Sequence, residues 1–121
     1  MYDFGLLGDE AAPHARLRLR GELDYARKSE LAALLQPLVA ANSAILDLRG
    51  VRFLDTSALS CLIALRRQML AAHGTARIIL VGLRPELRRV FEVSDLTGAF
   101  ELRDGTDLRP VSERGPAPSG D

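Results

Sequence analysis

Between Ala15 and Leu23 apolar and charged residues take turns: Leu17 and Leu19 alternate with Arg16, Arg18 and Arg20. A repeat of two belongs to a strand with one face buried and one in water, so the arginines read as the wet face. Met1 to Leu7 is more weakly strand-like and reads as an edge strand, joined to the first by a loop, Gly8 to His14, with an acidic pair, Pro13 and small residues. "GELD", Gly21 to Asp24, breaks the alternation, and Asp24 stands where it would cap the next helix. From there to Ala41, Leu31, Leu34, Leu35 and Leu38 recur at helical spacing, with Pro37 inside the run. Proline lacks the N–H and clashes one turn back, so the regular helix should kink or end early there.

"AILDL", Ala44 to Leu48, is a short apolar run, as expected of a strand covered on both faces, and Gly50 to Asp55 reads as a tight passage to the next helix. That helix, Ser57 to about His73, is the longest. At 100° per residue Ala58, Leu62, Leu65, Met69 and Ala72 share the face that meets the sheet. Leu59, Ile63 and Leu70 form a second apolar strip, read as packing on a neighbouring helix in preference to a partner surface. Gly74 ends the helix. "ARIILVG", Ala76 to Gly82, is another buried strand, and Pro85 opens a helix whose apolar face holds Leu87, Val90 and Phe91. A short last strand falls within Leu96 to Leu102, and residues 110–121, rich in Pro, Gly and Ser, read as a disordered tail behind a domain of residues 1–109. Strands alternating with helices predict an α/β single domain: a mostly parallel sheet of four or five strands packed with helices. Its core should hold Leu17, Leu19, Ile45, Leu46, Leu48, Leu62, Leu65, Ile79 and Leu80.

Composition narrows the functions. Sixteen basic side chains balance sixteen acidic ones, which offers no bulk charge for nucleic acid or a membrane. One cysteine, Cys61, excludes an internal disulfide and fits a cytoplasmic protein; set among Leu59, Leu62 and Ile63, it reads as a small buried hydrophobe. Two isolated histidines, His14 in the loop and His73 at a helix end, give no metal-ligand spacing, and neither lies near the cysteine. No apolar stretch approaches the about 18–20 residues of a spanning helix, and the N-terminus has no basic segment leading into an apolar core. No phosphate-binding glycine loop or kinase signature is present, so no cofactor is expected.

The stretch "FLDTSALS", Phe53 to Ser60, sets Asp55, Thr56 and Ser57 between an apolar run and a helix. Such residues commonly cap helices and nothing more, each worth about 1 kcal/mol. The alternative is that one hydroxyl is a site of chemistry. A hydrolase using Thr56 or Ser57 as nucleophile lacks a base, since no histidine is near in sequence.

Three stretches decide for a site. "GELD" at Gly21, "ILDLRGVRFLDTSAL" from Ile45 and "LVGLRPELRRVFEVSDL" from Leu80 stand in the order and spacing of the STAS domain. From Arg18 to about Phe100 the sequence resembles that family, and within it the bacterial anti-sigma factor antagonists. The resemblance implies a STAS-like fold and a binding module, not an enzyme. Unphosphorylated, the module holds an anti-sigma factor serine/threonine kinase and so releases a sigma factor; phosphorylated, it lets go until a PP2C-type phosphatase resets it. Carried over, the phosphoacceptor is Thr56, and the partner-binding residues are Asp24, Asp55, Thr56, Ser57, Ala58 and Leu59. Ala58 stands where the family usually has glycine, which implies a methyl group crowding the acceptor; Asp95 also replaces a usual glycine. The same Asp-Thr is seen in STAS subunits of lipid-transport ATPase complexes that are not phosphorylated, which is the alternative function.

Overall fold

A computed structural model describes residues 2–7, 14–93 and 98–105. The alternating segment is a strand, β2, His14–Leu23, beside an edge strand β1, Tyr2–Leu7. Ala15, Leu17, Leu19 and Leu23 turn into the core, while Arg16 and Arg18 are partly exposed and Arg20 is exposed. Two boundaries differ from the sequence reading. "GELD" does not end the strand: Gly21, at φ +90°, absorbs a register shift and β2 runs on to Leu23. Nor is Gly50 to Leu54 a passage, because the prolonged β2 supplies it with ladder partners, and it forms the second half of β3, Ser43–Leu54. The shift leaves Arg52 and Phe53 both outward while Val51 and Leu54 stay buried, which is what an extra residue in one strand does.

After β2 comes a 3-10 turn, Tyr25–Arg27, then α1, Lys28–Leu35, and a second 3-10 turn, Gln36–Ala40, that begins next to Pro37 as its missing N–H requires. Asp24 is not the side-chain cap expected of it. Its backbone is extended, its carboxylate makes no capping bond, and its own carbonyl already takes the Arg27 N–H at 3.0 Å. Beyond β3 come α2, Thr56–Ala72; β4, Arg77–Val81; α3, Pro85–Val93; and β5, Glu101–Arg103. The α2 core stripe ends at Met69, since Ala72, the last residue of the helix, is exposed. Residues 8–13, Asp95 and the 110–121 tail lie outside the described residues.

The sheet order is β1-β2-β3-β4-β5, with β1 antiparallel and the other four parallel. Parallel neighbours taken in sequence order need right-handed crossovers that all leave on the same side, so α1, α2 and α3 belong to one face. On that face Leu17, Leu19, Leu46, Leu48 and Leu80 meet Leu62, Leu65, Met69, Leu87 and Phe91 in one core. All nine residues expected in the core are buried. The other face carries a small separate cluster, Ile45, Ile79 and Val81, edged by charge.

At the centre of that second face Asp47 is 1% exposed. Arg49 meets it with two bonds, Nε to Oδ1 at 2.9 Å and Nη2 to Oδ2 at 2.7 Å, and Arg18 Nε donates to Oδ2 at 3.3 Å. Burial alone would push the Asp47 carboxyl up, but the Arg49 bonds and the charges of Arg49 and Arg18 outweigh it and hold the group below the usual carboxylate range. Farther along the face, Glu101 is paired with Arg77 and Arg103.

Candidate functional site

The sheet delivers β2 and β3 to the same edge, where Leu23 pairs with Leu54. One residue on, the Asp55 N–H donates to the Leu23 carbonyl at 3.1 Å, tying the exit of β3 to that of β2. Asp55 is extended and is the N-cap of α2: Oδ1 accepts from the Ser57 and Ala58 amides at 2.9 and 3.1 Å. Its second oxygen accepts from the Tyr25 amide at 3.0 Å. One carboxylate thus satisfies two of the unpaired amides at the helix head and also pins the β2–α1 turn against it.

The cap is therefore Asp55, and Thr56 is free of that duty. Thr56 is the first residue of α2 and is exposed, and its hydroxyl makes no hydrogen bond among the described residues; only its carbonyl is engaged, by the Ser60 hydroxyl at 2.9 Å. Ser57 is half-buried. Asp24 is brought to the same edge through Tyr25, half-buried, with Oδ1 shielded and unpartnered. Ala58 and Leu59 do not share that surface: they are 0% and 7% exposed and face the core, as the inward stripe of α2 demands. The Ala58 methyl group consequently packs inside, off the exposed surface that carries Thr56, which corrects the expectation of crowding drawn from the missing glycine.

Two surface residues at this edge escaped sequence reasoning. Tyr25 is 74% and Phe53 48% exposed. Phe53 opens the FLDTSALS stretch, but its outward direction comes from the register shift in β3, which no local pattern announces. Large apolar side chains held in water beside a free hydroxyl form a surface suited to a partner.

The catalytic alternatives find no support in this geometry. His14 is not in a loop: it begins β2, buried, with Nδ1 2.5 Å from the Ser43 hydroxyl. His73 Nε2 lies 3.0 Å from the Ala40 carbonyl. Thr56 sits past the far end of twelve-residue β3 from Ser43 and at the opposite end of seventeen-residue α2 from His73. At about 3.3 Å per strand residue and about 1.5 Å per helix residue, both rings are some 25 Å or more away. Cys61 is half-buried; burial raises its thiol pKa, Lys28 opposes this and the Asp55 charge adds to it, so the thiol stays protonated. Among the described residues no cluster of potential metal ligands occurs, and no helix is long and apolar enough to cross a membrane.

Comparison with known proteins gives a consistent picture. A family model described as "Mlab, STAS domain" matches residues 8–104. No curated protein sequence matches. Among solved structures, the anti-sigma factor antagonist SpoIIAA in its unphosphorylated form is 26% identical, with a TM-score of 0.66 over 84% of this chain and 87% of that one. The Bacillus cell fate determinant SpoIIAA in its phosphorylated form is also 26% identical, with a TM-score of 0.61 over 84% of this chain and 90% of the other. An anti-sigma factor antagonist from Mycobacterium paratuberculosis, 20% identical over 85% and 86% of the two chains, shares the fold with a TM-score of 0.65.

Proposed function

The chain belongs to the STAS domain family, and from that premise we propose that it is an anti-sigma factor antagonist whose binding is switched by phosphorylation of Thr56. Unphosphorylated, its α2 head holds an anti-sigma factor kinase, and a sigma factor is released. A phosphate on Thr56 ends the contact, and a PP2C-type phosphatase restores it. The observation that carries this reading is the division of labour between Asp55 and Thr56. Asp55 caps the helix, so Thr56 presents a hydroxyl that the fold does not use. The similarity to a protein seen in both unphosphorylated and phosphorylated forms supports it.

The physics of the position agrees. A phosphate brings a charge of about −1.5 to −2, and a helix N-terminus is where the backbone tolerates it best. The domain should remain folded while its surface changes. Beside Tyr25 and Phe53 that charge turns an apolar docking edge into one that a partner must desolvate at a cost. Thr56 is also the better acceptor than Ser57, which is half-buried in the first turn.

Pulldown and phosphate-affinity electrophoresis with the cognate kinase test the reading. Thr56→Ala should bind the kinase and take up no phosphate, and Ser57→Ala should still be phosphorylated. Thr56→Glu should fold yet bind at least about tenfold more weakly, a loss of about 1.4 kcal/mol. Phosphate remaining on Thr56→Ala moves the site; equal binding by Thr56→Glu ends the switch. A second reading, a STAS subunit of a lipid-transport ATPase complex that is never phosphorylated, is favoured by the description of the matched family model. A stable ATPase complex purified from cells with Thr56 unmodified would establish it in place of the first.

A further inference from the structure

The second face of the sheet carries more positive charge than its stability requires. Asp47 is satisfied by Arg49 alone, through a two-bond fork of the kind guanidinium and carboxylate form best. Yet Arg18 adds a second guanidinium to the same carboxylate, and Arg16 and Arg20 flank it on β2. Four guanidinium groups, those of Arg16, Arg18, Arg20 and Arg49, are thus gathered around one buried carboxylate, on a chain whose formal net charge is zero. Like charges gathered on one small surface repel, and a bound anion would relieve that repulsion.

The local surface is an open depression. Arg18, Arg20, Asp47, Arg49 and Gly50 line a concavity of about 350 Å³, at the small end of ligand-site volumes. Gly50 leaves the room: a Cβ there would stand 2.8 Å from Arg20 Cγ, so the Arg20 stem lies across the strand only because no side chain opposes it. Arg49 is fixed from two more directions, since Nη1 donates to the Gly105 carbonyl at 3.2 Å and its stem crosses Gly82, where any Cβ would collide with it. Each guanidinium has five N–H donors. Among the described residues Arg49 spends three, Arg18 one and Arg20 none. The carboxylate at the floor thus holds two guanidiniums in fixed orientation with donors to spare, and a third closes the side.

We propose that this concavity binds a phosphate-bearing anion, the group whose oxygens match several fixed guanidiniums at once. The site is independent of the Thr56 switch: Gly50 and Thr56 are six residues apart along extended chain, about 20 Å at about 3.3 Å per residue.

The test uses the full chain. Amide resonances of residues 16–20 and 47–50 are monitored while sodium phosphate is added, with sodium chloride at equal ionic strength as reference. Saturating shifts confined to these residues in phosphate are expected. Arg20→Gln, which breaks no bond in the fold, and Gly50→Ala, which displaces the Arg20 stem, should each weaken binding at least tenfold, while Arg52→Gln, exposed on the same strand but outside the cavity, should not. Shifts no larger than those in chloride, or equal loss in Arg20→Gln and Arg52→Gln, would overturn the site. A sedimentation arm with phosphatidylcholine vesicles, with and without phosphatidic acid, identifies the source of the phosphate. Sedimentation with phosphatidic acid that inorganic phosphate reverses and Arg20→Gln abolishes marks a lipid headgroup. Protein that stays in solution while free phosphate binds marks a soluble one. Sedimentation indifferent to Arg20→Gln assigns vesicle binding elsewhere and overturns the site as its cause.

Discussion

Asp47 and Asp55 lie along the same stretch of chain, each engages both carboxylate oxygens, and they serve opposite ends. Asp47, inside β3, is met chiefly by the guanidinium groups of Arg18 and Arg49, with one backbone bond, from the Arg49 amide at 3.2 Å, beside them. Asp55, one residue past β3, takes its side-chain bonds from the backbone amides of Tyr25, Ser57 and Ala58. Partners that are themselves side chains balance charge and bind layers of the sheet surface. Partners that are backbone amides fix a chain path, and here the path is what presents Thr56. The lesson is that a carboxylate's contribution is read from what answers it: the first stabilises a fold, the second shapes a site.

The largest effect separating the two should come from Asp47→Ala. It leaves two guanidiniums facing each other without their counter-ion, and about 2–3 kcal/mol of stability should be lost; the half-exposed arginines keep the loss below the about 3–5 kcal/mol of a sealed pair. The same group should govern part of the acid limb. Its folded-state pKa is lowered, so its stabilisation is complete above the ordinary carboxylate range near about 4 and is lost as pH falls through the lower folded value. Glu101 shifts the same way: burial raises its pKa, but Arg103 and Arg77 overcome this. Asp47→Asn should therefore flatten the acid limb in part, as urea unfolding across pH would record. Next in size, Asp55→Ala should cost about 1–2 kcal/mol as a lost cap and speed hydrogen exchange at the Tyr25, Ser57 and Ala58 amides. A larger loss from Asp55 than from Asp47 would reverse the comparison. The smallest effect belongs to Thr56→Ala, which should change stability by no more than about 0.5 kcal/mol because its hydroxyl holds nothing. A loss near that of Asp55→Ala, measured by the same unfolding, would make Thr56 a second cap.

Where the hydrophobic pattern was local, the sequence was legible. The period-two run of β2, the leucines of α1, the break at Pro37 and the Pro85 start of α3 each depend on residues within a turn or a pleat of one another. The end of β3 was not legible, since Gly50 to Leu54 are extended only because a distant segment, Gly21 to Leu23, pairs with them. Asp24 misled for another reason: its sequence position is a cap's, but the Arg27 amide that a capping carboxylate would answer goes to Asp24's own carbonyl in a 3-10 turn. Asp55, Thr56 and Ser57 stood out at once, whereas the roles within the triplet became visible only with hydrogen-bond partners assigned. Asp47 carried a signal, an acid inside an otherwise apolar run, whose meaning lay in the strands on either side.

The strand order β1-β2-β3-β4-β5 has a kinetic corollary. Every strand pairs only with its neighbours in sequence, so none has to be threaded between two strands already joined. His14 and Ser43, which start the β2–β3 ladder, are 29 residues apart, and closing a loop of that length costs little more than closing one half as long. Each completed pair offers an edge to the next segment to emerge. Such a sheet can assemble from the N-terminal side while the chain is still being synthesised, with the α2 head and its free hydroxyl formed before β4 is in place.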